Sequence, residues 1–214
     1  WGDSRLASRV HELTDLLTED ELRSARGSTL NAHYTALPVI GAMWEAALQL
    51  GFGERPFRVL DPSAGIGHFK SMTPAALRDQ VDWTEIELDG LTATILKALH
   101  PNSRVFNSGF EAANLPDGMF DLAISNVPFG DYGVVKRELP SFLRKSIHDF
   151  FFANTVALLR PGGVLAFITS RYTLDKKDNS VRAWLARHLD LLAAVRLPNN
   201  AFKENAGTEV VTAV

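Results

Sequence analysis

The stretch that most constrains the fold is Phe120–Gly130, Phe-Asp-Leu-Ala-Ile-Ser-Asn-Val-Pro-Phe-Gly. Phe120–Ser125 is a short apolar run that reads as a buried strand. Pro128 has no backbone N–H to give and ends ladder pairing there. An amide side chain, a fixed backbone and an aromatic ring therefore stand at the carboxyl end of a core strand, where open α/β sheets place their ligands. The side-chain oxygen of Asn126 and a neighbouring backbone carbonyl offer acceptors for both hydrogens of an exocyclic amine. The ring of Phe129 can stack on a planar base. Taken alone, the same residues fit a strand-ending turn with a core Phe equally well, since Asn and Pro are common turn formers.

The chain has 214 residues, 46% hydrophobic and 22% charged, which suits one α/β domain with or without an appendage. A net charge of −3 without a basic run leaves no electrostatic footprint for nucleic acid. Zero cysteines exclude disulfides and thiolate metal sites, and the six histidines lack metal-ligand spacing, so neither metal nor covalent chemistry is expected. No apolar run reaches membrane-span length and no signal peptide is visible, so a cytoplasmic protein without membrane contact is expected. The chain opens on Trp1 and stops inside a predicted strand, which predicts a piece of a longer protein.

Leu6, Val10, Leu13, Leu16 and Leu17 recur at helical spacing and predict an amphipathic N-terminal helix or pair that packs. Thr35 suits an N-cap and Pro38 the first turn of a helix with Val39, Ile40, Met43, Trp44 and Ala47 on its apolar face. Strands are predicted at Arg58–Leu60, Trp83–Leu88, Val105–Asn107, Phe120–Ser125, Val164–Ile168, Leu191–Leu197 and Glu209–Val214. Helices are predicted at Leu91–Leu99, Phe142–Leu159 and Val181–His188. Asp61-Pro62-Ser63-Ala64-Gly65-Ile66-Gly67 follows the first strand, and its glycines let backbone approach a ligand and leave amides free to donate. It lacks the third glycine of a dinucleotide fingerprint and the Gly-Lys-Ser/Thr of a phosphate loop. Glu87 lies 26 positions after Asp61, near the offset at which an acid reaches ribose hydroxyls; Glu85 and Asp89 compete for that role. The polar loop Gly130–Pro140 is long enough for a lid on the substrate side.

In order, Tyr34-Thr35, Asp61-Pro62-Ser63-Ala64-Gly65-Ile66-Gly67, Glu87-Leu88-Asp89, Phe110-Glu111 and Asn126-Val127-Pro128-Phe129 resemble the S-adenosylmethionine-dependent adenine-N6 DNA methyltransferases. The resemblance spans roughly residues 30–214, and its two most specific motifs are the Asp-Pro loop and the Asn-x-Pro-Phe tetrapeptide. Arg196-Leu197-Pro198, Ala201-Phe202-Lys203 and Gly207-Thr208-Glu209-Val210 further resemble methylase segments of large phage and mobile-element helicase–methylase proteins, which implies a setting in restriction-modification, phage defence or anti-restriction. Val127 stands where the family usually has proline; the family uses the backbone carbonyl there, which valine keeps. Glu111 stands where related enzymes often carry Asp.

The resemblance implies a Rossmann-like class I methyltransferase fold. That means a seven-stranded, mostly parallel sheet with an antiparallel last strand, helices on both faces and an N-terminal helical segment. It implies an extension over residues 1–30 and a catalytic domain over 31–214, with the target-recognition domain absent and supplied by further domains or subunits. S-adenosyl-L-methionine would be held by Tyr34, Thr35, Asp61, Ser63, Ala64, Gly65, Gly67, Glu87, Leu88, Phe110, Glu111 and Asn126. Asn126, Val127, Pro128 and Phe129 would carry methyl transfer to the N6 amine of an adenine flipped out of duplex DNA. Methylation of a protein glutamine or an rRNA base, or a non-catalytic subunit binding DNA or a partner, are the alternatives.

Overall fold

A computed structural model describes residues 4–23, 25, 35–130, 132–136, 138–198 and 212–213. Five parallel strands form the sheet: β1 (Phe57–Asp61), β2 (Val81–Glu87), β3 (Arg104–Asn107), β4 (Phe120–Asn126) and β5 (Leu159–Ser170). Described residues Thr212–Ala213 add β6, antiparallel to β5, and the strand order is β3-β2-β1-β4-β5-β6. Helices are α1 (Ala7–Leu16), α2 (helical residues 19–23), α3 (Leu37–Gln49), α4 (His68–Ser71), α5 (Gly90–Leu99), α6 (Ile147–Leu158), α7 (Tyr172–Asp175) and α8 (Ser180–Leu185). No described helix is long and apolar enough to cross a membrane.

The central strands are apolar without alternation because both faces are covered, as parallel sheets require. Val59, Leu122, Ile124 and Ile168 pack with Ile40, Met43, Trp44 and Ala47 of α3. Leu60, Ala123 and Phe167 pack instead with Ile147, Phe150 and Phe151 of α6. Adjacent residues such as Val59 and Leu60 thus fall in opposite cores, the two-residue period of a strand. Trp44 Nε1 donates to the carbonyl of Phe69 at 3.0 Å and ties α3 to the segment that follows the glycine loop.

Several predicted elements differ. The Leu191–Leu197 segment is not a strand: it forms a single bridge at Arg196, and Leu191 is 76% exposed. Its composition suits a strand, but pairing is set by tertiary neighbours, and the end of β5 is taken by Thr212–Ala213. Among the described residues six strands therefore stand where seven were expected. Of the last strand, Thr212 and Ala213 are antiparallel as expected, and Glu209–Val211 and Val214 lie outside the described residues. The helix expected from Phe142 starts at Ile147, because Ser146 is extended (φ −112°, ψ 142°) and separates it from a 3-10 turn at Ser141–Arg144. Ala36, not Thr35, is the N-cap of α3, and Thr35 is buried. Contrary to the packing expected of it, α1 buries none of its side chains; Thr18 and Glu21 cap each other at the start of α2 and divide the N-terminal helices.

Candidate active site

β1 and β4 are neighbours in the sheet, while the chain continues from β1 toward β2 on one side and from β4 toward β5 on the other. Such a reversal opens a crevice at the carboxyl ends of the two strands. Asp61 ends β1 and Asn126 ends β4, so both stand at this crevice. Ser125 Oγ donates to Asp61 Oδ1 at 2.6 Å, and the backbone N–H of Ser63 donates to the same oxygen at 3.2 Å. Asp61 is fully buried, and its Oδ2 has no hydrogen-bond partner among the described residues. Burial pushes its carboxyl up to about 8; the Ser125 bond opposes this, and the charges of Glu85 and Glu87 reinforce it.

The glycine loop is clasped from β2. Glu87 Oε2 accepts from the Gly65 N–H at 2.8 Å and Oε1 from the Asp89 N–H at 2.8 Å. Burial raises the Glu87 carboxyl above its ordinary value, against these two bonds. The two glycines do different work. Gly65 (φ +57°) has open space before it, since a Cβ there would meet no atom of the described residues within 4 Å. Gly67 (φ +83°) is a packing requirement, because its Cβ would lie 2.5 Å from His100 Cδ2 and 2.8 Å from Leu96 Cδ1. The three acids of this stretch also separate. Glu85 is in register with Asp61 and fully buried, where burial raises its carboxyl against the pull of Ser103 and Lys70. Asp89 caps α5 by accepting from the Thr92 N–H at 2.8 Å. Glu87 is the acid left at the sheet edge.

At the tetrapeptide, the Val127 N–H donates to the Ile168 carbonyl at 3.1 Å, which continues the β4–β5 ladder past Asn126. Val127 is buried, and Phe129 is half-buried against the α3 core. The structure thus brings Asp61, Ser63, Ala64, Gly65, Glu87, Asn126 and Val127 to one edge. Leu88 beside them is 74% exposed. Phe110 is a core residue, its ring 5.1 Å from that of Phe151 and 5.9 Å from that of Phe150, while Glu111 is exposed. Tyr34 lies outside the described residues, as do Ala201-Phe202-Lys203 and Gly207-Thr208-Glu209-Val210. Ser125 is the site residue that sequence reasoning missed; its signal was a lone hydroxyl ending an otherwise apolar run.

No family model matches the chain. It is 28% identical over 192 residues to the Defense against restriction protein B of Escherichia phage P1, a match that covers 88% of this chain and spans only 8% of that protein's length. A protein from Listeria monocytogenes ascribed to the class I S-adenosylmethionine-dependent methyltransferases superposes with a TM-score of 0.68 at 17% identity, over 84% of this chain and 58% of its own. The methyltransferase subunit of a type I restriction-modification system from Streptococcus thermophilus superposes equally well (0.68) at 22% identity, over 84% of this chain and 43% of its own. The fold is that of the class I methyltransferases, a parallel α/β sheet with an antiparallel edge strand.

Proposed function

We infer that the chain binds S-adenosyl-L-methionine and methylates the N6 amine of adenine in DNA. The observation that carries the reading is the pairing of a buried acid at the end of β1 with an asparagine at the end of the neighbouring β4. The residues present fit the cofactor. Asp61 Oδ2 is a buried acceptor without a partner among the described residues, set beside two further acids, and suits an ammonium group such as that of the cofactor's methionine moiety. The open space at Gly65 suits close approach of a ligand to backbone. Each Glu87 oxygen keeps a lone pair beyond its backbone bond and can accept from ribose hydroxyls.

When bound, the cofactor supplies a methyl group on a sulfonium, an electrophile that needs no metal. The chain's part is positioning and electrostatics. The Asn126 side-chain oxygen and the Val127 carbonyl accept the two N–H bonds of the amine, which favours a pyramidal nitrogen with its lone pair directed at the methyl group. The buried Val127, tied to Ile168, fixes that carbonyl. A duplex base must be extruded to reach this edge, and Phe129 stacks on it. Residues 31–214 would form the catalytic domain and residues 1–30 an extension, with sequence recognition supplied by other domains or subunits. Similarity to a phage protein named for defence against restriction supports an anti-restriction setting.

Transfer of labelled methyl from the cofactor to DNA, RNA and protein tests this reading. Label in N6-methyladenine of DNA is expected; label confined to RNA or to a protein amide contradicts it.

A further inference from the structure

The geometry points to Arg171 and Tyr172, in the turn after β5, as a preformed contact for the sugar–phosphate backbone of duplex DNA beside the target base, flanked by Lys145 and Lys177. This inference rests on the function proposed above. Asn126 is in register with Ile168, and β5 runs only to Ser170 before α7 begins at Tyr172. Arg171 and Tyr172 therefore leave the same sheet edge as Asn126, one strand away, where neighbouring strands lie about 4.8 Å apart.

The turn is fastened from beneath. Thr173 is buried and its hydroxyl shares a 2.7 Å hydrogen bond with that of Thr169. Ser170 Oγ accepts from the Tyr172 N–H at 3.3 Å. Lys176 Nζ donates to Asp149 Oδ2 at 2.9 Å and to Ser146 Oγ at 3.1 Å, and Asp149 and Ser146 are both buried. Lys176 is thus committed to holding α7 against the start of α6.

The outward side chains are arranged differently. Tyr172 is 51% exposed, and Arg171 places its guanidinium carbon 4.9 Å from the ring centroid while Nη2 donates to the phenol oxygen at 3.2 Å. A planar cation and an aromatic face are so presented together from a fixed backbone, which lowers the ordering cost of binding. The guanidinium matches phosphate geometry. Lys145 and Lys177 are also exposed. Lys145 adjoins Ser146, which Lys176 holds, and Lys177 adjoins Lys176 itself, so both stand beside this turn. Arg171, Lys145 and Lys177 outnumber the exposed Asp175 and Asp178 of the same segment, and this local excess of cations beside an exposed ring, on a chain of net charge −3, favours a polyanion there.

The test is duplex-DNA binding across a range of salt concentrations, with cofactor affinity measured alongside as a check on folding. The variants are Tyr172→Ala and the triple Arg171→Gln/Lys145→Gln/Lys177→Gln. The triple variant should lower the slope of log affinity against log salt by about 2.7, at about 0.9 for each phosphate no longer neutralised. Tyr172→Ala should weaken DNA binding about threefold, the scale of losing an exposed cation–π contact that orders the Arg171 guanidinium. Cofactor affinity should match the parent in both. If the parent methylates DNA adenine while both variants bind DNA with the parental slope and affinity, the contact is wrong and the function stands. If the parent methylates RNA or protein instead, both fall together.

Discussion

Ser125 and Asp61, 64 positions apart in the chain, meet through a 2.6 Å hydrogen bond that joins the end of β4 to the end of β1. The bond aligns the strand that carries Asn126 with the strand that carries the buried acid. It opposes the burial that pushes the Asp61 carboxyl up to about 8.

A first expectation concerns protons. At pH 7 Asp61 is mostly protonated in the free protein, and an ammonium placed against Oδ2 favours its ionised form. Cofactor binding at pH 7 should therefore release up to about one proton, read by calorimetry in buffers of different ionisation enthalpy. Asp61→Asn should abolish the release and weaken binding. Parental binding without proton release would contradict the assignment.

The same group sets a stability trend. Its folded value lies above the ordinary 3.8, so between these values the folded state holds more protons than the unfolded. Stability from this group is fully present below about pH 4 and is lost as pH rises through about 8. Asp61→Asn, which carries no charge, should flatten that part of the curve, as denaturant titrations at pH 5 and pH 8.5 would show. An unchanged pH trend would mean that Asp61 is ionised throughout.

The two loop glycines should respond differently. Gly65→Ala costs about 1–2 kcal/mol for the left-handed backbone but meets no atom, so it should fold and lose cofactor affinity tenfold or more. Gly67→Ala carries a similar backbone cost and also overlaps His100 and Leu96, so it should be less stable by about a further 1–3 kcal/mol. Equal stability of the two variants in urea unfolding would contradict the difference in packing.

Glu87→Ala removes the acceptor of both the Gly65 and the Asp89 amide. Loop order and the proposed ribose contacts should disappear together, at about 1.5–3 kcal/mol of cofactor affinity by calorimetry. Unchanged affinity would place the ribose elsewhere.

The placement of Asp61 and Asn126 at one edge was legible because each ends a short apolar run, and strand ends in a parallel sheet share one edge. The order of elements followed from the same runs. Ser125 was not legible, because its bond to Asp61 depends on the alignment of β1 with β4, which no local pattern encodes. The sequence favoured Glu87 over Glu85 and Asp89 by its offset from Asp61; the structure adds that Glu85 lies in the core and Asp89 caps α5. Phe110 packs against Phe150 and Phe151 in the cluster that also holds Val127, a neighbourhood set by α6 and not readable from the residues around it. Leu191–Leu197 has strand composition, yet it pairs at a single bridge, Arg196, and the rest of it stays irregular.

The most direct test of the central claim is single-turnover methyl transfer to duplex DNA by Asn126→Ala, with cofactor affinity measured in parallel. The variant removes one acceptor for the amine and leaves Asp61, Gly65 and Glu87 in place. Cofactor affinity should fall far less than the transfer rate, which drops about 100-fold or more, the scale of losing one preorganised transition-state hydrogen bond. Transfer to adenine at the parental rate would contradict the account and leave Asn126-Val127-Pro128 as a strand-ending turn.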